Sequence, residues 1–305
     1  MEAKSFFDRL NESVIARGPL VAGLDPDVTK ICDLYLRTGE ATAPEFITKG
    51  KVNTENMIFD FCTKYIDAVS DVVSAIKINS AFFESYHLES LYMTICKLAK
   101  EEGLYVIADV KRADIGNTSR QYAMAYLGED SPIDAITINP YFGTDSVQPF
   151  LDAAIRNDKG VFVLVKTSNP TAGEFQNLVL DTGNTLYEEI AYKAGIWGDS
   201  APYSRYSFVG AVVGATHPEE AARIRKIVPN TFFLVPGYGA QGATVEDIKI
   251  CFDEEGGGAI VNASRSLMFA YERYDQYSFL EWDKATHDEA VRVQNELKEA
   301  VKDNM

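Results

Sequence analysis

The chain has 305 residues, 46% of them hydrophobic, and carries 29 basic against 45 acidic side chains, a formal charge of −16. That length suits one large α/β domain or two smaller ones, and the apolar content supplies a core, which excludes disorder as the default state. The acidic balance excludes nonspecific nucleic-acid binding, because a phosphate backbone needs a basic surface, whereas an anionic small substrate needs only a locally basic pocket.

In chain order, a helical stretch at 8–17 precedes a first strand at 20–24. Short apolar runs predict further strands at 73–78, 105–110, 135–138, 161–165, 208–213, 232–235 and 259–261. Most are continuous rather than alternating, which marks strands buried on both faces, as in parallel sheets. Helical patterns lie between them at 54–70, 82–101, 144–155, 218–227 and 244–252. A polar, charged helix at 283–301 follows the last strand. This alternation predicts an α/β fold of the closed (β/α)8 (TIM) barrel type, with a doubly wound open sheet as the alternative. The simplest organisation is a single domain over 1–305 with N-terminal and C-terminal flanking helices. Two connections are long, 26–52 and 168–206, and long loops in a compact barrel serve as lids or added surface structure.

Cys32, Cys62, Cys96 and Cys251 are too far apart for a CxxC pair, and only His87, His217 and His287 are present, so no metal site is expected. Residues 1–8 lack the apolar region of a signal peptide, and no apolar run approaches the roughly 20 residues of a membrane span. A cytoplasmic protein without membrane contact is expected.

The most informative stretch is Asp109-Val110-Lys111-Arg112-Ala113-Asp114, which leaves the third strand. Side chains i and i+2 share a strand face, so Asp109 and Lys111 point the same way, and Asp114 follows in the loop. Such a pair is often only a surface ion pair. Its company argues otherwise, because active sites of these barrels sit at strand C-terminal ends. There the first strand delivers Asp25, the second Lys77, the fifth Lys166 through Ser168, and the eighth Ser264-Arg265. The segment after the seventh strand, Gly237-Tyr238-Gly239-Ala240-Gln241-Gly242, fits G-x-G-x-x-G. A dinucleotide fingerprint would open the first βαβ unit, so the position instead matches the usual phosphate site of a (β/α)8 barrel. Glycines let backbone N–H groups approach a phosphate, and Arg265 adds a forked donor.

These residues together resemble the orotidine 5′-phosphate decarboxylase family, in its longer bacterial-type branch. Leu24-Asp25, Lys77, the run 109–118 ending Ile115-Gly116-Asn117-Thr118, Ser168, the segment 236–242 and Arg265 carry the resemblance, in the family's order. It implies a homodimer with two active sites at the subunit interface. Lys77, Asp109 and Lys111 would come from one subunit; Asp114, Ile115 and Thr118 would reach across from the other. The substrate implied is orotidine 5′-phosphate, with Asp25 on ribose hydroxyls, Lys77 linking ribose to the charged network, Ser168 on the pyrimidine, Gln241 and Arg265 on the phosphate, and Pro236 among the substrate-binding residues. Two positions depart from the common pattern: Ser264 and Ala113 stand where glycine is frequent.

The implied chemistry is loss of CO2 from C6 of the pyrimidine. The Lys111 ammonium would stabilise the carbanion and then protonate C6, without metal or organic cofactor. A related decarboxylase of sugar-acid phosphates that uses Mg2+ shares the Asp-x-Lys-x-x-Asp motif and is the near rival. A nucleotide-binding barrel without catalysis is the distant one.

Overall fold

The computed structural model describes residues 4–39, 47–48, 51–199, 204–239 and 242–302. Eight parallel strands form a closed ring: β1 Leu20–Leu24, β2 Ala75–Asn79, β3 Tyr105–Arg112, β4 Ala135–Ile138, β5 Gly160–Lys166, β6 Val209–Val213, β7 Phe233–Val235 and β8 Ala259–Ala263. Neighbours in sequence pair throughout, and β1 closes the ring between β8 and β2. The fold is therefore the (β/α)8 barrel and not the open sheet. Continuous apolar runs make this possible, since every residue of β1, β4, β6, β7 and β8 is buried.

The barrel interior is filled at the N-terminal ends of the strands by Val21, Ala75, Ile107, Phe162, Leu234 and Ile260. The helix Phe6–Arg17, capped by the Ser5 hydroxyl, seals this end. Phe7 meets the Phe162 ring edge-on at 5.2 Å and stacks on Phe232 at 5.4 Å. Gly160 makes room for the plug, because a Cβ there would come within 2.5 Å of the Phe6 ring. Outside the strands a larger apolar cluster packs the helices onto the barrel. The last helix, Trp282–Lys302, binds the seam: Gln294 accepts from the Leu20 amide at 2.9 Å and donates to the Val72 carbonyl at 3.0 Å.

The helical expectations need three corrections. The stretch 82–101 is two helices, Ala81–Glu84 and Glu89–Glu101, parted by a turn in which His87 takes a left-handed φ of 57°. The stretch 244–252 shortens to Val245–Lys249. The two long connections are not simply loops. The first holds the helix Val28–Thr38 and a small hairpin, Ile47–Thr48 with Lys51–Val52; residues 40–46 and 49–50 lie outside the described residues. The second holds the helix Leu186–Gly198, started by a capping box between Thr185 and Glu188. No described helix is long and apolar enough to cross a membrane.

Candidate active site

At the C-terminal ends of the strands lies a cavity of about 440 Å³, a size that suits a small ligand. Its floor is a chain of charges. Lys77 Nζ on β2 is 2.8 Å from Asp109 Oδ2 and 3.7 Å from Asp25 Oδ1. Lys111 Nζ on β3 is 2.6 Å from the other Asp109 oxygen, Oδ1. Lys77 and Asp109 are 5% and 8% exposed, whereas about half of the Lys111 side chain is open to the cavity mouth.

Burial of this kind is tolerable only because the charges compensate one another. Burial by itself would raise the Asp109 pKa, but the Lys77 and Lys111 ammoniums outweigh it and hold the carboxyl well below the usual carboxylate range. Burial likewise opposes the charge on Lys77, yet Asp109 and Asp25 keep its pKa above that of an ordinary lysine. Asp109 is thus locked as a carboxylate and Lys77 as an ammonium. Asp25 Oδ1 is buried without a hydrogen-bond partner, with the Lys77 ammonium its ion-pair neighbour, and the Asp25 residue lines the cavity.

The shared face expected for Asp109 and Lys111 is reached by an irregular route. β3 is bulged against β4: Ala108 pairs with Ile136 and Arg112 with Ile138, so β3 advances four residues while β4 advances two. Lys111 sits in the bulge with a φ of 45°. A second bulge changes the lysine of β5. The register shifts between Leu164 and Lys166, so Leu164 lines the cavity and Lys166 does not. Lys166 is instead buried outside the pocket, 3.2 Å from Glu220 Oε2 and over the Tyr187 ring. Of the lysines expected at strand ends, Lys77, Lys111 and Lys166, the first two therefore reach the cavity and the third does not.

Beyond the charged floor the cavity is also lined by Ser168, Pro236, Gly237 and Arg265. Ser168 is seated by Gly214, where a Cβ would lie 3.0 Å from the Ser168 backbone. Gly237, Gly239 and Gly242 all take positive φ, at 102°, 71° and 92°, as a turn open to an anion requires. Gln241 falls outside the described residues. Arg265 is exposed, and its guanidinium makes no ion pair or hydrogen bond with a described residue. Ser264 hangs over β1, where Gly23 has no side chain to obstruct it.

Of the residues singled out from sequence, Asp25, Lys77, Asp109, Lys111, Ser168, Pro236 and Arg265 converge on this cavity. Asp114, Ile115 and Thr118 do not line it. The Asp114 backbone carbonyl accepts from the hydroxyls of Ser119 and Ser146, and Ile115 is 62% exposed. Thr137 and Asn262 line the cavity without having been singled out. Their signal was available, since each is a polar residue inside an otherwise apolar strand run.

A sequence model of the family described as "Orotidine 5'-phosphate decarboxylase / HUMPS family" matches residues 19–276. The chain is similar to an orotidine 5′-phosphate decarboxylase of Caldicellulosiruptor bescii, 39% identical over 97% of this chain and 99% of the relative. One of Clostridium acetobutylicum is 36% identical over 96% and 99%. Among solved structures, that of Leishmania donovani OMP decarboxylase superposes with a TM-score of 0.73 at 30% identity, covering 98% of this chain and 99% of the other.

Proposed function

The chain belongs to the orotidine 5′-phosphate decarboxylase family, and on that premise we infer that it converts orotidine 5′-phosphate to UMP and CO2 in pyrimidine biosynthesis. The observation that carries the reading is that the charge chain Asp25–Lys77–Asp109–Lys111 and an unpaired Arg265 line one cavity. A substrate with an anionic tail and a reacting carbon that becomes negative needs both ends.

With the phosphate held by Arg265, Gln241 and the glycine-rich turn, the pyrimidine lies toward Ser168 and C6 toward Lys111. Breaking the C6–carboxylate bond leaves the electron pair on C6. The Lys111 ammonium stabilises that charge and then transfers a proton to C6, which completes UMP. Asp109 keeps the Lys111 ammonium aimed through its Oδ1. Asp25 and Lys77 bind the ribose hydroxyls. No metal or organic cofactor enters this scheme.

The same reading assigns Asp114, Ile115 and Thr118 to the active site of a second copy. Support comes from their place outside the cavity, and from exposed apolar side chains on the same end of the barrel, Ile115 and Tyr141 at 62% and 83%. Mixing inactive Lys111→Ala and Asp114→Ala proteins tests it. Hybrid dimers carry one intact site, so activity returns on mixing; persistent inactivity would remove the shared site.

The primary experiment follows the absorbance of orotidine 5′-phosphate with purified protein in EDTA. Conversion to UMP is expected. Turnover only of a sugar-acid phosphate, and only with Mg2+, would move the chain to the other branch of the family.

A further inference from the structure

The bulge in β3 leaves two backbone amides, Val110 and Lys111, without a carbonyl on β4 to receive them. Both donate instead to one atom, Thr137 Oγ1, at 3.1 and 3.0 Å. The same hydroxyl donates its proton to Asp109 Oδ1 at 3.0 Å. A threonine hydroxyl has one proton and two lone pairs, so its capacity is filled and nothing remains to bind substrate. Thr137 is also 1% exposed, and no water need compete for these bonds.

The connections form a ring. Thr137 holds the backbone amide of Lys111 directly and the Lys111 ammonium through Asp109, whose Oδ1 accepts from both. The left-handed backbone of Lys111, costly for a side-chain-bearing residue, is held at its own amide and at the preceding one. We infer that Thr137 is a positioning residue: its hydroxyl fixes the β3 bulge and the Asp109 carboxylate together, and so sets where the Lys111 ammonium stands over the reacting carbon. The catalytic part of this inference rests on the decarboxylase reading above.

Three substitutions separate the hydroxyl from packing. Thr137→Val keeps the shape and removes the hydroxyl; Thr137→Ser keeps the hydroxyl and loses the methyl; Thr137→Ala loses both. A displaced catalytic group lowers kcat by roughly 10- to 100-fold, so Thr137→Val is expected to lose that much kcat. Its KM, set largely at the phosphate end, stays within about threefold. Thr137→Ser is expected to stay near the parent in both. Equal loss in the Val and Ser variants, or a Val variant with parental kcat, would overturn the inference. Should the Val protein fail to fold, the Ala–Ser pair decides by the same comparison of kcat. Hydrogen exchange at the Val110 and Lys111 amides supplies a readout that needs no substrate. It should accelerate in the Val or Ala variant and not in the Ser variant; unchanged protection would refute the anchoring. A parent inactive on orotidine 5′-phosphate would instead defeat the decarboxylase reading, with the exchange result still standing on its own.

Discussion

Replacing Lys77 by methionine keeps the length of the side chain and removes its charge, which isolates the electrostatics of the cavity floor. In the parent, Lys77 Nζ lies 2.8 Å from Asp109 Oδ2, and both side chains are under a tenth exposed. Removing one partner of a buried pair costs about 3–5 kcal/mol, because the other charge is left in a poor medium. Asp109 retains Lys111 and Thr137 on its second oxygen, so the low end of that range, about 3 kcal/mol, applies to Lys77→Met. With a urea slope of about 3 kcal/mol/M for a chain of this size, the unfolding midpoint should fall by about 1 M near pH 7. The sign of the pH dependence follows from Asp109. A carboxyl depressed in the folded state contributes stability above its unfolded pKa of about 4, and loses it as pH falls toward the folded value. In the variant, burial raises the Asp109 pKa and only Lys111 and a neutral hydroxyl oppose it. The deficit between variant and parent should therefore shrink as pH is lowered from about 7 toward 4, since the variant can protonate Asp109 and the parent cannot. Urea unfolding at both pH values measures this. A deficit below about 1 kcal/mol at neutral pH, or one that does not change with pH, would refute the account of the floor as a compensated buried pair.

Lys111→Ala should abolish turnover while changing stability by no more than about 1 kcal/mol, because its side chain is half exposed; near-parental kcat would remove it as proton donor. Arg265→Ala should lower kcat/KM at least about tenfold, the worth of a charged hydrogen bond, and exogenous guanidinium should restore part of it. Unchanged kcat/KM would take Arg265 out of phosphate binding. Gly23→Ala brings a Cβ to 1.9 Å from Ser264 Oγ and 2.8 Å from its Cβ. The same Cβ comes within 2.8 Å of Asn262 Oδ1. The change should cost about 1–3 kcal/mol as overpacking, and Ser264→Gly in the same chain should return part of that, with the Asn262 contact remaining. Additive losses in the double variant would show that the two positions do not meet.

The strands were legible because burial on both faces leaves an unbroken apolar run, and all eight predicted runs are barrel strands within two residues of their ends. The strand-end carboxylates and lysines were legible for a related reason: a charged residue closing such a run has few places to point except the open end of the barrel. Register was not legible. A bulge is an event between two strands, and neither strand alone records it, so Lys166 was expected in the pocket and is buried outside it. The helix Leu186–Gly198 escaped notice because it lies inside a long polar connection, yet Thr185 with Glu188 was the capping signal that announces it. Thr137 was visible as a polar residue in an apolar run, but its role was not: the amides it serves are orphaned by the other bulge, between β3 and β4.

The aromatic plug at the base of the barrel divides the molecule into a chemical end and a mechanical end. Phe6 and Phe7 tie the first helix to Phe162 and to Phe232, residues far apart in sequence, and none of these rings lines the cavity. Val212 and Leu234, however, belong to the same apolar cluster as the plug and also line the cavity. A change of packing at the base therefore reaches the site through a single layer of side chains, so adaptation to temperature at the plug and adaptation of chemistry at the rim constrain one another through those two residues.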